Sequence, residues 1–479
     1  MVATHTNFID GASADPAAGR FADAHSPVTG EAHVKVARSG AADVEKAVAS
    51  AASAQRAWAD LKPIERGRIL MKMAAHIREQ MSAYAEIEIQ ETGKPSWQAP
   101  LELGGAANYL EFYAGLGNVG SGEMIDLGAD YHAYTVAEPY GVIGVITPWN
   151  APLNQLCRAI GPALITGNAV VAKPSEFTSG TTLRLAKDAV EQCGLPPGVL
   201  NVVIGDGPDA GAALVSHAQV AKVAFTGSVR GGREVGKVAA ERIIPLTLEL
   251  GGKSPNIVFD DADLALAAPG SLMGFALNAG QVCSAGTRCL VHRPIYDAFL
   301  GALEKAVATL KVGPEPDAMV GAITTHAQYQ QVQRFFDVAA SDGARLVVGG
   351  KEAPRPDSWG AGWYAPITVY ADVRNDMRIA REEIFGPILA VIPFDTEDEA
   401  VSIANDTEYG LNAGIWTNTL SRAHRVAARV QAGTVTVNEY LTSDVELPFG
   451  GFGKSGYGKE KGVAALHYYT RLKSVRIKL

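Results

Sequence analysis

A chain of 479 residues that is 47% hydrophobic has the length for two or three domains and the apolar content to bury a core in each. Its formal net charge of −9 offers no basic face to a phosphate backbone, which excludes nucleic acid as the expected partner. Four cysteines, Cys157, Cys193, Cys283 and Cys289, none in C-x-x-C spacing, exclude a disulfide framework and give no reason to expect a metal.

Met1 to Asp10 carries no Lys or Arg ahead of an apolar run, and no stretch reaches the roughly 18 apolar residues of a membrane span, so a soluble cytoplasmic protein is expected. Residues 41 to 115 read as helices, with Val44, Val48, Ala51 and Ala52 and then Ile69, Leu70, Met73 and Ile77 at helical spacing. Residues 118–139 change to strand-like alternation, as in Tyr131, Ala133 and Thr135, which predicts a small protruding sheet. Short apolar runs follow at 141–147, 169–173, 199–204, 223–225 and 245–250, with helical text between them. Strands apolar on both faces and alternating with helices predict a parallel sheet covered on both sides, a doubly wound nucleotide-binding design. A second α/β region extends from 251 to 450, with strands expected at 346–348, 367–370, 388–392 and 433–437. Residues 473–479 alternate basic and apolar side chains like a charged edge strand that pairs with a partner.

Chemistry concentrates at a few places. Small residues flank Cys283 in Leu277-Asn278-Ala279-Gly280-Gln281-Val282-Cys283-Ser284-Ala285-Gly286, and small neighbours let backbone N–H groups approach a reacting atom. A thiolate there is a strong nucleophile; the competing reading is a small buried hydrophobe, which serves for the other three cysteines. Glu249, between Leu248 and Leu250 at the end of an apolar strand, is either a general base whose pKa burial raises or one half of an ion pair. Two turns on the parallel sheet suit a dinucleotide. Phe225-Thr226-Gly227-Ser228, with Gly231, Gly232 and Gly236, opens a helix whose N–H groups can receive a pyrophosphate. Lys173-Pro174-Ser175-Glu176 ends a strand, and its carboxylate either accepts the ribose hydroxyls or sits in a solvated loop.

Seven motifs now stand in one order: Thr147-Pro148-Trp149-Asn150, Lys173 to Glu176, Phe225 to Ser228, Glu249 to Pro255, Gly280 to Cys283, Glu383-Ile384-Phe385-Gly386-Pro387 and Pro448-Phe449-Gly450-Gly451. In this the chain resembles the aldehyde dehydrogenase superfamily over nearly its full length. The resemblance implies an α/β fold: a Rossmann-like parallel-sheet cofactor domain, an α/β catalytic domain and a small β oligomerisation element. By segment, 1–118 and 140–250 would form the cofactor domain, 119–139 the oligomerisation strands, 251–450 the catalytic thiol domain and 451–479 the return segment with a further oligomerisation strand. It implies Cys283 as nucleophile, Glu249 as the base that activates the hydrolytic water, and Asn150 with the Cys283 N–H as oxyanion hole. NAD, with NADP a further possibility, would lie on Ile146, Thr147, Pro148, Trp149, Lys173, Ser175, Glu176, Gly207, Thr226, Gly227, Ser228 and Gly232, its nicotinamide end held by Leu250, Glu383 and Phe385. Glu460 is the candidate proton relay, and a homodimer or homotetramer is implied.

Arg158, eight positions after Asn150, would flank the acyl tunnel and either fork onto a polar substrate or pair with an acidic side chain. Ala151, Val282 and Ser284 leave the tunnel mouth wide, and Phe449 and Tyr440 supply an apolar wall, so a polar or aromatic small-molecule aldehyde is expected. A coenzyme-A acylating dehydrogenase and a catalytically silent binding protein on the same scaffold are the alternatives. One departure, Gly453 in Phe452-Gly453-Lys454-Ser455, touches a loop away from the chemistry.

Overall fold

The computed structural model describes residues 3–441 and 444–479. Two large sheets organise it. The first has eight strands in the order Gly456–Tyr457, Leu246–Glu249, Val220–Thr226, Val142–Ile146, Ala169–Lys173, Leu200–Val202, Asn7–Ile9 and Ala12–Ala14, the middle five all parallel. Val142–Ile146 and Ala169–Lys173 are buried at every position. Their alternate residues serve different layers: Ile143, Val145, Val170 and Ala172 join the core with the helices Pro152–Ile165 and Gly180–Glu191, while Val142, Val171 and Val223 pack with Val44, Val48 and Ala51 of the helix Ala41–Asp60. Such two-faced burial produces the continuous apolar runs of the sequence.

The chain order across these strands reverses between Val142–Ile146 and Val220–Thr226, and open α/β sheets bind ligands at the carboxyl ends beside such a switch. The register aligns those ends, with Ile146 opposite Lys173 and Phe225, and Thr226 opposite Glu249.

The second sheet has seven strands, Arg345–Val348, Thr368–Ala371, Ile388–Phe394, Arg288–His292, Pro255–Val258, Asn412–Trp416 and Thr434–Val437, parallel except for the first. Pro255–Val258 and Asn412–Trp416 were absent from the expectation, and buried polar residues interrupt the apolar runs of the inner strands. Arg288 is satisfied by the carbonyls of Lys253, Ile403 and Ala404, and Asn256 by Trp416 Nε1 and Ser271 Oγ. In a separate three-stranded sheet, Thr470–Lys478 runs antiparallel to Tyr131–Pro139, which also pairs with Met124–Ile125. The charged terminal strand thus pairs within its own chain along one edge. No helix among the described residues is long and apolar enough to cross a membrane.

Candidate active site

Cys283 sits half-buried on a loop that the backbone alone does not favour. After the helix Leu264–Ala276, residues Asn278, Ala279 and Gly280 take φ of +53°, +53° and +74°. Left-handed non-glycine residues cost about 1–3 kcal/mol each and persist where their surroundings hold them. Here Asn278 Nδ2 donates to the carbonyls of Asn150 at 3.0 Å and Gln281 at 3.3 Å. The Gln281 side chain donates to Asn278 O at 2.9 Å and accepts from Thr324 N at 2.8 Å. A Cβ on Gly280 would lie 2.2 Å from the Gly386 backbone, so the loop and the Glu383–Pro387 motif are in direct contact. Asn150 Nδ2 donates to Gln281 O at 2.9 Å, fixing the amide beside the thiol with its second N–H to spare. Burial pushes the Cys283 thiol up to about 11, opposed by Arg158 and reinforced by Glu249 and Glu383. The resting thiol is therefore protonated at neutral pH.

Glu249 closes the strand Leu246–Glu249 with its carboxyl buried, and neither oxygen has a hydrogen-bond partner. Burial, then Glu460, holds its pKa well above the usual carboxylate range, against Arg158, Lys459 and Lys461. An unpartnered buried carboxyl is costly, and such groups cluster where chemistry needs them. A Cβ on Gly450 would come within 2.7 Å of Glu249 Oε1, so glycine there leaves the carboxyl its room.

Arg158, in the helix Pro152–Ile165, makes a buried ion pair with Glu460, its guanidinium 5.2 Å above the Phe449 ring. Of the two uses open to this arginine, the structure displays the pairing with an acid. Ala151 caps that helix, and Val282 and Ser284 are half-buried beside Cys283. Tyr440 lends more than a wall: its hydroxyl donates to Ser284 O at 2.9 Å.

On the far side of Glu249 the switch-point residues converge. Gly227 N donates to Glu249 O at 3.0 Å, and Ser228 Oγ caps the helix Val229–Arg242 by accepting from Gly231 N at 3.1 Å. A Cβ on Gly232 would meet Leu250 at 2.7 Å, so helix and strand end pack closely there. Lys173 Nζ lies 3.5 Å from Glu176, with Ser175 buried between them in sequence, and Gly207 opens a short helical turn capped by Asp206. The Thr147 hydroxyl is buried without a partner. Trp149 meets Phe385 edge-to-face at 5.4 Å. Glu383 Oε1 accepts from Gly252 N at 3.2 Å, and a Cβ on Gly251 would fall 1.9 Å from Oε2. Free helix N–H groups, an orphaned hydroxyl, a strand-end carboxylate and glycines that open the backbone fit a dinucleotide.

Two contributors were missed. Ser455 Oγ donates to Gly251 O at 2.7 Å and accepts from Gly410 N at 3.1 Å, while its carbonyl takes the Leu250 N–H at 3.0 Å. The loop set aside in the sequence therefore braces the strand end that carries Glu249. Lys461 lines a cavity with Ser284 and Phe449, and only its place next to Glu460 could have drawn attention to it.

The chain is similar to known proteins over nearly its full length. A model described as the aldehyde dehydrogenase family matches residues 14–475. The chain is similar to the indole-3-acetaldehyde dehydrogenase AldA of P. syringae, solved in complex with NAD+ and IAA: 41% identity, 100% of this chain and 97% of that one, TM-score 0.97. It is also similar to an aldehyde dehydrogenase of Bacillus cereus in an NAD+ complex, at 38% identity over 99% and 97% of the two chains with TM-score 0.96. A betaine aldehyde dehydrogenase of Staphylococcus aureus, also with NAD+, matches at 36% identity over 99% and 96%, TM-score 0.96.

Proposed function

The chain belongs to the aldehyde dehydrogenase family, and from that premise we propose that it oxidises an aldehyde to a carboxylic acid with NAD, through a thioester on Cys283. The observation that carries this reading is the buried, unpartnered carboxyl of Glu249 within electrostatic reach of Cys283. The Cys283 sulfur adds as thiolate to the carbonyl carbon, and the carbonyl oxygen becomes an alkoxide. The spare Asn150 N–H and the Cys283 backbone N–H stabilise it, and one such donor is worth about 2.7–4 kcal/mol. Bound NAD supplies the acceptor for the hydride that leaves the alkoxide carbon. Glu249, ionised, removes a proton from water as that water attacks the thioester; the carboxylic acid departs and the thiolate returns. Its raised pKa makes it a stronger base than an exposed carboxylate, and Glu460, whose charge acts on it, would relay the proton onward.

Lys173, Ser175 and Glu176 would hold the adenosine ribose, Ile146 to Trp149 with Thr226 to Ser228, Gly207 and Gly232 the adenosine and pyrophosphate, and Leu250, Glu383 and Phe385 the nicotinamide end. Glu176 would repel a 2′-phosphate, which favours NAD over NADP. The segments 1–118 and 140–250 serve as cofactor domain and 251–450 as catalytic domain. A cytoplasmic homodimer or homotetramer, extended through the sheet of Tyr131–Pro139 and Thr470–Lys478, completes the reading. Phe449, Tyr440 and the small side chains of Ala151, Val282 and Ser284 suit a polar aldehyde (a semialdehyde or hydroxyaldehyde) or an aromatic one. NADH formation from NAD with succinic semialdehyde, lactaldehyde, benzaldehyde and hexanal tests this. Cys283→Ala is expected to bind NAD yet lose turnover; near-normal turnover in that variant contradicts the assignment. An acyl thioester appearing when coenzyme A is added would instead mark an acylating enzyme.

A further inference from the structure

The cavity beside the nucleophile loop is lined by Ser284, Asn412, Leu441, Leu447, Phe449 and Lys461. Lys461 lines it from a left-handed backbone, φ +60°, which a non-glycine residue seldom adopts. It is 9% exposed, with its ammonium 5.2 Å over the Phe449 ring and 5.8 Å over Tyr109. Among the described residues it has neither an ion pair nor a hydrogen bond, although a buried lysine is ordinarily paired.

The neighbouring charges are otherwise committed. Arg158, the other cation over Phe449, is bound to Glu460. Burial holds the Glu249 pKa well above the usual carboxylate range, and Asp444 lines the cavity from an exposed position without ion-pairing to Lys461. Burial lowers the Lys461 pKa to about 8, which leaves it largely charged at neutral pH. A cation without a partner among the described residues, at the edge of a cavity that Ser284 of the nucleophile loop also lines, matches a substrate with an anionic far end.

We propose that Lys461 is the specificity residue for an aldehyde bearing a carboxylate at its other end, a semialdehyde, whose carboxylate takes the lysine's free donors. This rests on the aldehyde-oxidising reading above and narrows its substrate class.

The test compares succinic semialdehyde with its uncharged methyl ester, methyl 4-oxobutanoate, in one preparation of the full chain with NAD. The wild type is expected to favour the acid in kcat/KM by about tenfold or more, the scale of one charge-assisted hydrogen bond. Lys461→Gln should reduce the acid-to-ester ratio by about the same factor, through KM, and Lys461→Arg should keep it. Because the ratio is taken within each variant, partial loss of folded enzyme does not move it. A wild-type ratio near one, or a ratio unchanged in Lys461→Gln, overturns the proposal while ester turnover leaves aldehyde oxidation standing. Absence of NADH from every aldehyde overturns both.

Discussion

Two buried clusters of charge in this molecule are wired differently. Between the helices Met81–Thr92 and Gln98–Ala114, Lys94 donates to Glu88 at 3.1 Å and to Glu102, and Glu88 also accepts from Thr181 at 3.3 Å. Glu91 beside them takes the Gly180 N–H on both oxygens, at 3.1 and 3.0 Å. Near Cys283 Arg158 and Glu460 are matched with each other, while both Glu249 oxygens are buried without a partner and Lys461 has no ion pair among the described residues. Both clusters bear the desolvation cost of burying charge. Where the partners are complete, charge holds the fold together. Where they are incomplete, room is left for water, substrate or a proton.

Substitutions on the two sides should therefore fail in opposite ways. The largest effect on stability is expected from Lys94→Met, which strands Glu88 and Glu102; breaking one side of a buried pair costs about 3–5 kcal/mol, seen as a lower Tm. Glu249→Gln exchanges an unpartnered buried carboxyl for an unpartnered amide of similar shape and should alter stability by less than about 1 kcal/mol while removing the base. A Tm drop in Glu249→Gln as large as that in Lys94→Met would erase the contrast. Cys283 gives a smaller, graded effect. With its thiol pushed up to about 11, its rate of alkylation by iodoacetamide in the protein without cofactor should rise about tenfold per pH unit from 7 to 10. A plateau below pH 8 would mean a thiolate already formed at rest. Glu91 tests the closed cluster through pH, since burial raises its pKa to about 8. The folded protein then binds a proton that the unfolded chain releases near 4.5, so this group's contribution to stability is lost as pH rises from about 4.5 to 8. Glu91→Gln should gain in Tm relative to the wild type across that window; a constant Tm difference would show no linkage.

The sequence made the two-faced strands of the first sheet legible because burial on both sides leaves uninterrupted apolar runs, and the strand end carrying Lys173 agrees to the residue. It hid Pro255–Val258 and Asn412–Trp416, where Asn256 and Asn412 are buried and polar. It also hid what long-range contacts decide. Nothing local to Arg158 announces Glu460, and nothing local to Ser455 announces that its hydroxyl and carbonyl brace Gly251 and Leu250. The reactive residues stood in recognisable motifs, yet the left-handed turn at Asn278 and Ala279 that presents Cys283 has no signature beyond the glycine that follows it.

The most direct test is a stopped-flow measurement of NADH on mixing Glu249→Gln with NAD and an accepted aldehyde. The expected trace is a burst of one NADH per subunit followed by turnover slowed about 10²- to 10⁴-fold, the range for losing a general base, with the acyl mass retained on Cys283. Steady turnover at the wild-type rate with no burst and no acyl-cysteine would contradict Glu249 as the base that releases the thioester.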